Sequence, residues 1–127
     1  MKKILIVDDS PTVRKYHSFV LNAIGYRTCE AADGSEALEA LLTEKIDLVI
    51  TDINMPRMNG YQFIAELREM PEYSALPVLI VSSQEQNADL AQDRNMGANS
   101  YLLKPTDIEN LAIWVRRLLS EPLQREN

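Results

Sequence analysis

Lys3-Ile4-Leu5-Ile6-Val7-Asp8-Asp9-Ser10-Pro11 is the stretch that decides the fold. Its unbroken apolar run, Ile4 to Val7, suits a strand covered on both faces, since a half-exposed strand would alternate polar and apolar residues. Two aspartates stop the run. Ser10-Pro11 then supplies an N-cap and a proline at the first helical position, where a missing N–H costs nothing. The helix that follows carries Val13, Tyr16, Val20, Leu21 and Ile24 on one face and stops at Gly25. Nine residues thus read as strand, acidic strand end and helix start.

The same alternation runs along the chain. Tyr26 to Ala31 reads as a second strand, and Ser35 to Thr43 as a helix with Ala37, Leu38, Leu41 and Leu42 inward. Asp47 to Thr51 is a third strand ending at Asp52, and a loop through Pro56 and Gly60 leads to a helix over Tyr61 to Glu69. Pro77 to Val81 is a fourth strand, followed by a helix from Gln86 to Met96 that ends at Gly97. Ser100 to Leu103 is the fifth, and Asp107 opens a last helix whose inward residues are Ile108, Leu111, Ala112, Val115, Leu118 and Leu119. Strands alternating with helices predict an α/β fold: a doubly wound (βα)5 parallel sheet with helices on both faces.

Composition narrows the function. The 127 residues fit one domain, here 1–120 with a polar tail over 121–127. A lone cysteine, Cys29, forms no internal disulfide and suits a reducing cytoplasm; its place in a strand makes it a small core residue. The opening apolar run is too short for a signal peptide, and no stretch approaches the ~18 apolar residues of a membrane span. A net charge of −6 disfavours binding to nucleic-acid phosphates and points toward a cation.

In a parallel sheet all strand carboxyl ends lie on one edge, where ligands bind. The first strand delivers Asp8 and Asp9, the third Asp52, the fourth Ser82 and Ser83, and the fifth Lys104. Clustered carboxylates repel one another unless a cation or proton intervenes. Mg²⁺, or Mn²⁺, meets that need with hard oxygen ligands and is commonly shared with a phosphate. Lys104 cannot ligate a metal while protonated, but a phosphoryl group between metal and lysine satisfies both. Asp52 is then an acidic nucleophile for an activated phosphate.

Asp8-Asp9, Asp52 followed by Asn54-Met55-Pro56 and Gly60, Ser82, Tyr101 and Lys104-Pro105 together resemble the receiver domain of two-component response regulators. The resemblance covers residues 2 to 119. It implies the flavodoxin- and CheY-like strand order 2-1-3-4-5. It further implies Asp52 as phosphoacceptor, with Asp8, Asp9, Asp52 and the Asn54 backbone carbonyl as metal ligands. Lys104 would contact the phosphoryl oxygens, and the peptide before Pro105 would be cis. Ser82 and Tyr101 would form the switch, Ser82 bonding the phosphoryl group while Tyr101 turns inward. Asn59 stands where the family often has Asp, Ser83 where a small apolar residue is frequent, and Thr106 where Phe is common.

The implied partner is a sensor histidine kinase or histidine phosphotransfer protein, with no nucleic acid or membrane involved. The output would run through protein contacts of a monomer or a weak phosphorylation-dependent dimer. Leu90, Tyr101, Ile113 and Trp114 make up the expected partner face. His17, the only histidine, reads as a packing residue. Two rivals are weaker. A phosphohydrolase with an aspartyl nucleophile would want a second carboxylate where Asn54 stands. A flavin or nucleotide module would want G-x-x-x-x-G-K-[ST] or G-x-G-x-x-G, and neither is present.

Overall fold

The computed structural model describes residues 1–83 and 97–119. Its elements are β1 (Lys3–Val7), α1 (Pro11–Ala23), β2 (Arg27–Ala31), α2 (Gly34–Thr43), β3 (Leu48–Thr51), α3 (Gly60–Arg68), β4 (Val78–Ser82), β5 (Ser100–Leu103) and α4 (Ile108–Leu118). A short 3-10 turn over Pro71–Tyr73, which sequence reading missed, links α3 to β4. The helix expected over 86–96, and Leu90 with it, lies outside the described residues. All strand pairs are parallel, in the order β2-β1-β3-β4-β5.

Period-two alternation sorts the strand residues into two cores. Ile4, Ile6, Leu48, Ile50, Leu79 and Val81 meet Val20 and Leu21 of α1 and Leu111 and Val115 of α4. Leu5, Val7, Val49, Val78 and Ile80 meet Ala37 and Leu41 of α2 and Phe63, Ile64 and Leu67 of α3. Burying one such large apolar side chain contributes about 1.5–3 kcal/mol, so two faces filled this way can hold a domain without a staple.

Each described α-helix starts at a built cap. Ser10 Oγ accepts from Val13 N (3.3 Å), Asp33 Oδ1 from Glu36 N (2.9 Å) and Asp107 Oδ1 from Asn110 N (2.7 Å). Asn59 and Gln62 make a reciprocal capping box on α3, so the amide at position 59 does the work there.

Three expected inward residues face out: Leu42 is 74% exposed, Ile108 51% and Tyr16 41%. Leu42 and Ile108 lie at helix ends, where an apolar stripe runs past the sheet it covers. Tyr16 leans over the strand edge, its hydroxyl 3.5 Å from Thr106 O. Cys29 is half-buried rather than core, and burial pushes its thiol up to about 11, so it stays protonated at neutral pH.

His17 is buried, as its place beside the apolar stripe suggests, and its Nδ1 has no hydrogen-bond partner. Burial lowers its pKa from the ordinary 6.5; the Asp8 charge opposes this and the Lys104 charge adds to it. The fold therefore favours neutral imidazole, and this stability is present above the unfolded-state value and lost as pH falls below it. The melting temperature should fall as pH drops below about 6.5, and His17→Leu should flatten that slope. An equally steep slope in the variant would contradict the assignment. Gly60→Ala tests the backbone: its Cβ would sit 2.2 Å from the Asp52 carbonyl oxygen. We expect about 2–4 kcal/mol of destabilisation by urea titration, and a loss under about 1 kcal/mol would mean the loop yields freely.

Candidate functional site

The sheet builds the site on the rung beyond its last paired residues. Val7 is in register with both Ala31 and Thr51, and the ladder then continues: Asp8 N donates to Ala31 O (3.1 Å) and Asp52 N to Val7 O (2.9 Å). Asp8 and Asp52 are thereby fixed as neighbours by backbone bonds. At the other side, Lys104 N donates to Ser82 O (2.9 Å), which sets the lysine beside the end of β4.

Ligand oxygens of Asp8, Asp9 and Asp52 lie within 4.8 Å of one another. Asp8 and Asp52 are buried, while Asp9 is exposed, so the cluster opens to solvent on one side. Each buried carboxylate is oriented locally: Ser10 N donates to Asp8 Oδ1 (2.9 Å) and Ile53 N to Asp52 Oδ1 (2.7 Å). Their other oxygens share one cation. Lys104 Nζ donates to Asp8 Oδ2 (2.6 Å) and Asp52 Oδ2 (3.1 Å). Burial works to lower the Lys104 pKa, but the hydrogen bonds and charges of Asp8 and Asp52 outweigh it and raise it. One ammonium against three carboxylates leaves two negative charges unbalanced, the charge of one divalent cation.

The remaining expected residues lie on β4, on β5, on α4 and on the loops that follow β3, β4 and β5. Ser82 is buried at the end of β4 with its backbone carbonyl on Lys104, while Ser83 is exposed. The Lys104–Pro105 peptide is cis. Asn54 lies on the exposed loop two residues after Asp52. Tyr101 is half-buried against the core under α2 and α3. Ile113 is 37% exposed on α4, and Trp114 beside it is half-buried under the Arg117 guanidinium, 5.3 Å from the ring centre. A cavity of about 470 Å³ adjoins Lys104, walled by Thr12, Val13, Tyr16, Ser83 and Pro105 among others.

Three residues escaped the sequence reading. Arg14 donates through Nη1 to the Asp8 carbonyl (2.7 Å) and through Nε to Glu30 (3.2 Å), tying α1 and β2 to the carboxyl end of β1. Asp33, fully buried, caps α2 and forms an ion pair with Arg57 from the loop after Asp52. The Asp33 carboxyl is held below its usual range, first by the Glu36 N–H and then, against the cost of burial, by Arg57. The one hint in the sequence was Asp33-Gly34 at the end of the second strand, which reads equally well as a turn.

Comparison with known proteins agrees with this geometry. The family "Response regulator receiver domain" matches residues 4–116. PilH of Pseudomonas aeruginosa is 38% identical over 120 residues, covering 94% of this chain and 99% of that protein. The chemotaxis protein CheY4 of Vibrio cholerae superposes with a TM-score of 0.88 at 34% identity, over 93% of this chain and 98% of that one. The receiver domain of a sensor histidine kinase from Pseudomonas aeruginosa PAO1, described with a magnesium ion coordinated in its active-site cleft, gives 0.86 at 25% identity, over 94% and 98%. With sequence, strand order and strand-end chemistry in agreement, the chain belongs to the receiver domain family of two-component response regulators.

Proposed function

We propose that Asp52 accepts a phosphoryl group from a phosphohistidine on a sensor histidine kinase or histidine phosphotransfer protein, in a reaction that requires Mg²⁺. The observation that carries this reading is the cluster of Asp8, Asp9 and Asp52 with Lys104 bonded to two of its members. Receiver domains as a family accept phosphoryl groups and signal through the change.

The donor set fits Mg²⁺, or Mn²⁺ in its place: hard carboxylate oxygens, partly open to water. Asp8, Asp9, Asp52 and the Asn54 backbone carbonyl would hold it, and when bound it neutralises charge on the transferring phosphoryl oxygens. An Asp52 carboxylate oxygen attacks phosphorus as the donor's P–N bond breaks, and the imidazole leaves with that electron pair. Lys104 keeps its proton throughout, since its partners raise its pKa, and shifts its bonds from carboxylate to phosphoryl oxygen. Ser82, already beside Lys104, gives the phosphoryl group a hydroxyl partner and draws its loop inward, and Tyr101 follows.

The chain is then a switch and not an enzyme with an outside substrate; water removes the phosphoryl group from Asp52 and resets it. Residues 1–120 act as the receiver and 121–127 as a tail, in the cytoplasm, as a monomer or a weak phosphorylation-dependent dimer. No described helix is long and apolar enough to cross a membrane. Tyr101, Ile113 and Trp114 form the described part of the output face, with Leu90 as a fourth member.

Incubation with acetyl phosphate and Mg²⁺ should add one hydroxylamine-labile phosphoryl group, seen by intact-protein mass spectrometry. Asp52→Asn or EDTA should abolish it; label that survives either one overturns the mechanism. Lys104→Ala should slow labelling about a hundredfold, the usual effect of losing one preorganised charge partner. Trp114→Glu should leave labelling intact and weaken target binding or self-association, and unchanged association would remove that face from the reading.

A further inference from the structure

We infer that Arg57, acting through its ion pair with Asp33, is a positioning residue for the metal: it holds the loop after β3 so that the Asn54 carbonyl stays in reach of the carboxylate cluster. This rests on the Mg²⁺ reading above and adds a residue that the strand-end chemistry does not include.

The loop over 53–59 leaves directly from Asp52 and is anchored at both ends. Gly60 N donates to Ile53 O (2.8 Å), joining the two ends, and Gly60 lies so close to the Asp52 carbonyl that no side chain fits there. Between these ends stands Arg57 with φ +66°, the one non-glycine residue of positive φ among those described. A residue with a Cβ keeps that conformation only where its surroundings hold it. The ion pair is such a hold. Asp33 is 0% exposed, and its other oxygen caps α2, so the Arg57 guanidinium is tied to an element that the core fixes.

Met58 adds a second tie. Its side chain rests on Gly34, the first residue of α2, so closely that a Cβ there would lie 2.7 Å from Met58 Cγ and Sδ. Two adjacent loop residues are thus pinned to the start of α2, and Asn54 lies on the span between them and Asp52. The Arg57 side chain is itself 67% exposed, so its removal takes little packing from the core.

Charge gives the test its sign. Arg57 is a cation on a loop beside a cation site, so deleting it should tighten Mg²⁺ binding if electrostatics alone mattered. Loss of positioning acts the other way. Calorimetric Mg²⁺ titration of the intact chain, with melting temperatures alongside, separates them. Arg57→Ala should raise the Mg²⁺ Kd about fivefold or more, the low end of coupling between distinct sites. Arg57→Lys, which keeps one charged donor, should restore it to within about twofold. If the alanine variant folds poorly, Arg57→Gln keeps the stem without the charge and should show the same weakening. Unchanged or tighter Mg²⁺ binding in either folded variant overturns the inference. A wild-type chain that binds no Mg²⁺ overturns the metal reading itself, a distinct result.

Discussion

One ammonium holds the functional edge of the molecule together. Lys104 Nζ sits between Asp8 Oδ2 and Asp52 Oδ2, joining the ends of three strands that are far apart in sequence. Two carboxylates buried side by side repel each other unless a cation lies between them. Their backbone N–H ligands orient them but cannot neutralise them. A buried ion pair of this kind is a weak source of net stability, because desolvation offsets most of the attraction. What it supplies is a charge that can change partners without leaving the site.

That cation is useful only because the backbone brings its partners to one place. Parallel pairing of Val7 with Thr51 puts Asp8 and Asp52 on the same next rung, and the 2-1-3-4-5 order keeps β1 and β3 adjacent. The same order leaves β4 between Asp52 and Lys104, so the lysine reaches across the end of β4, over the Ser82 backbone. Burial completes the arrangement. Asp8 and Asp52 are shielded from water, where their attraction for a cation is strong, and exposed Asp9 leaves a way in for a hydrated ion.

Most of this was legible in the chain because it depends on local signals. Ser10-Pro11 announces a helix start, Ile4 to Val7 a two-faced strand, and the polar residue after each apolar run marks the sheet edge. The misreadings have physical causes. Leu42 and Ile108 obey helical periodicity, yet periodicity gives the direction of a stripe and not how far the sheet beneath it extends. Arg14–Glu30 and Arg57–Asp33 were invisible because pairs 16 and 24 residues apart carry no local pattern, and arginine on a surface segment is ordinary. Asn59 shows the reverse case. It departs from the residue common in its family, but the position serves as a helix cap, and an amide oxygen accepts the Gln62 N–H as a carboxylate would.

On the proposed reading, the direction of signalling follows from where charge arrives. Phosphorylation exchanges the one negative charge of the Asp52 carboxylate for about 1.5 to 2 on the phosphoryl oxygens. They land where a divalent cation would already balance the carboxylates, so the new charge must draw on Lys104 and on hydroxyl donors. Those groups belong to the ends of β4 and β5. The ends of β1 and β3 are less free to respond: Arg14 ties the first to α1 and β2, and Ile53 N with Gly60 fixes the second. Displacement is therefore directed into the β4–β5 side of the sheet. Tyr101 lies on β5, and Ile113 and Trp114 on the helix that follows it. A stiff acceptor half and a yielding lysine–serine half are what a switch needs if its chemistry and its readout are to occupy opposite sides of one sheet.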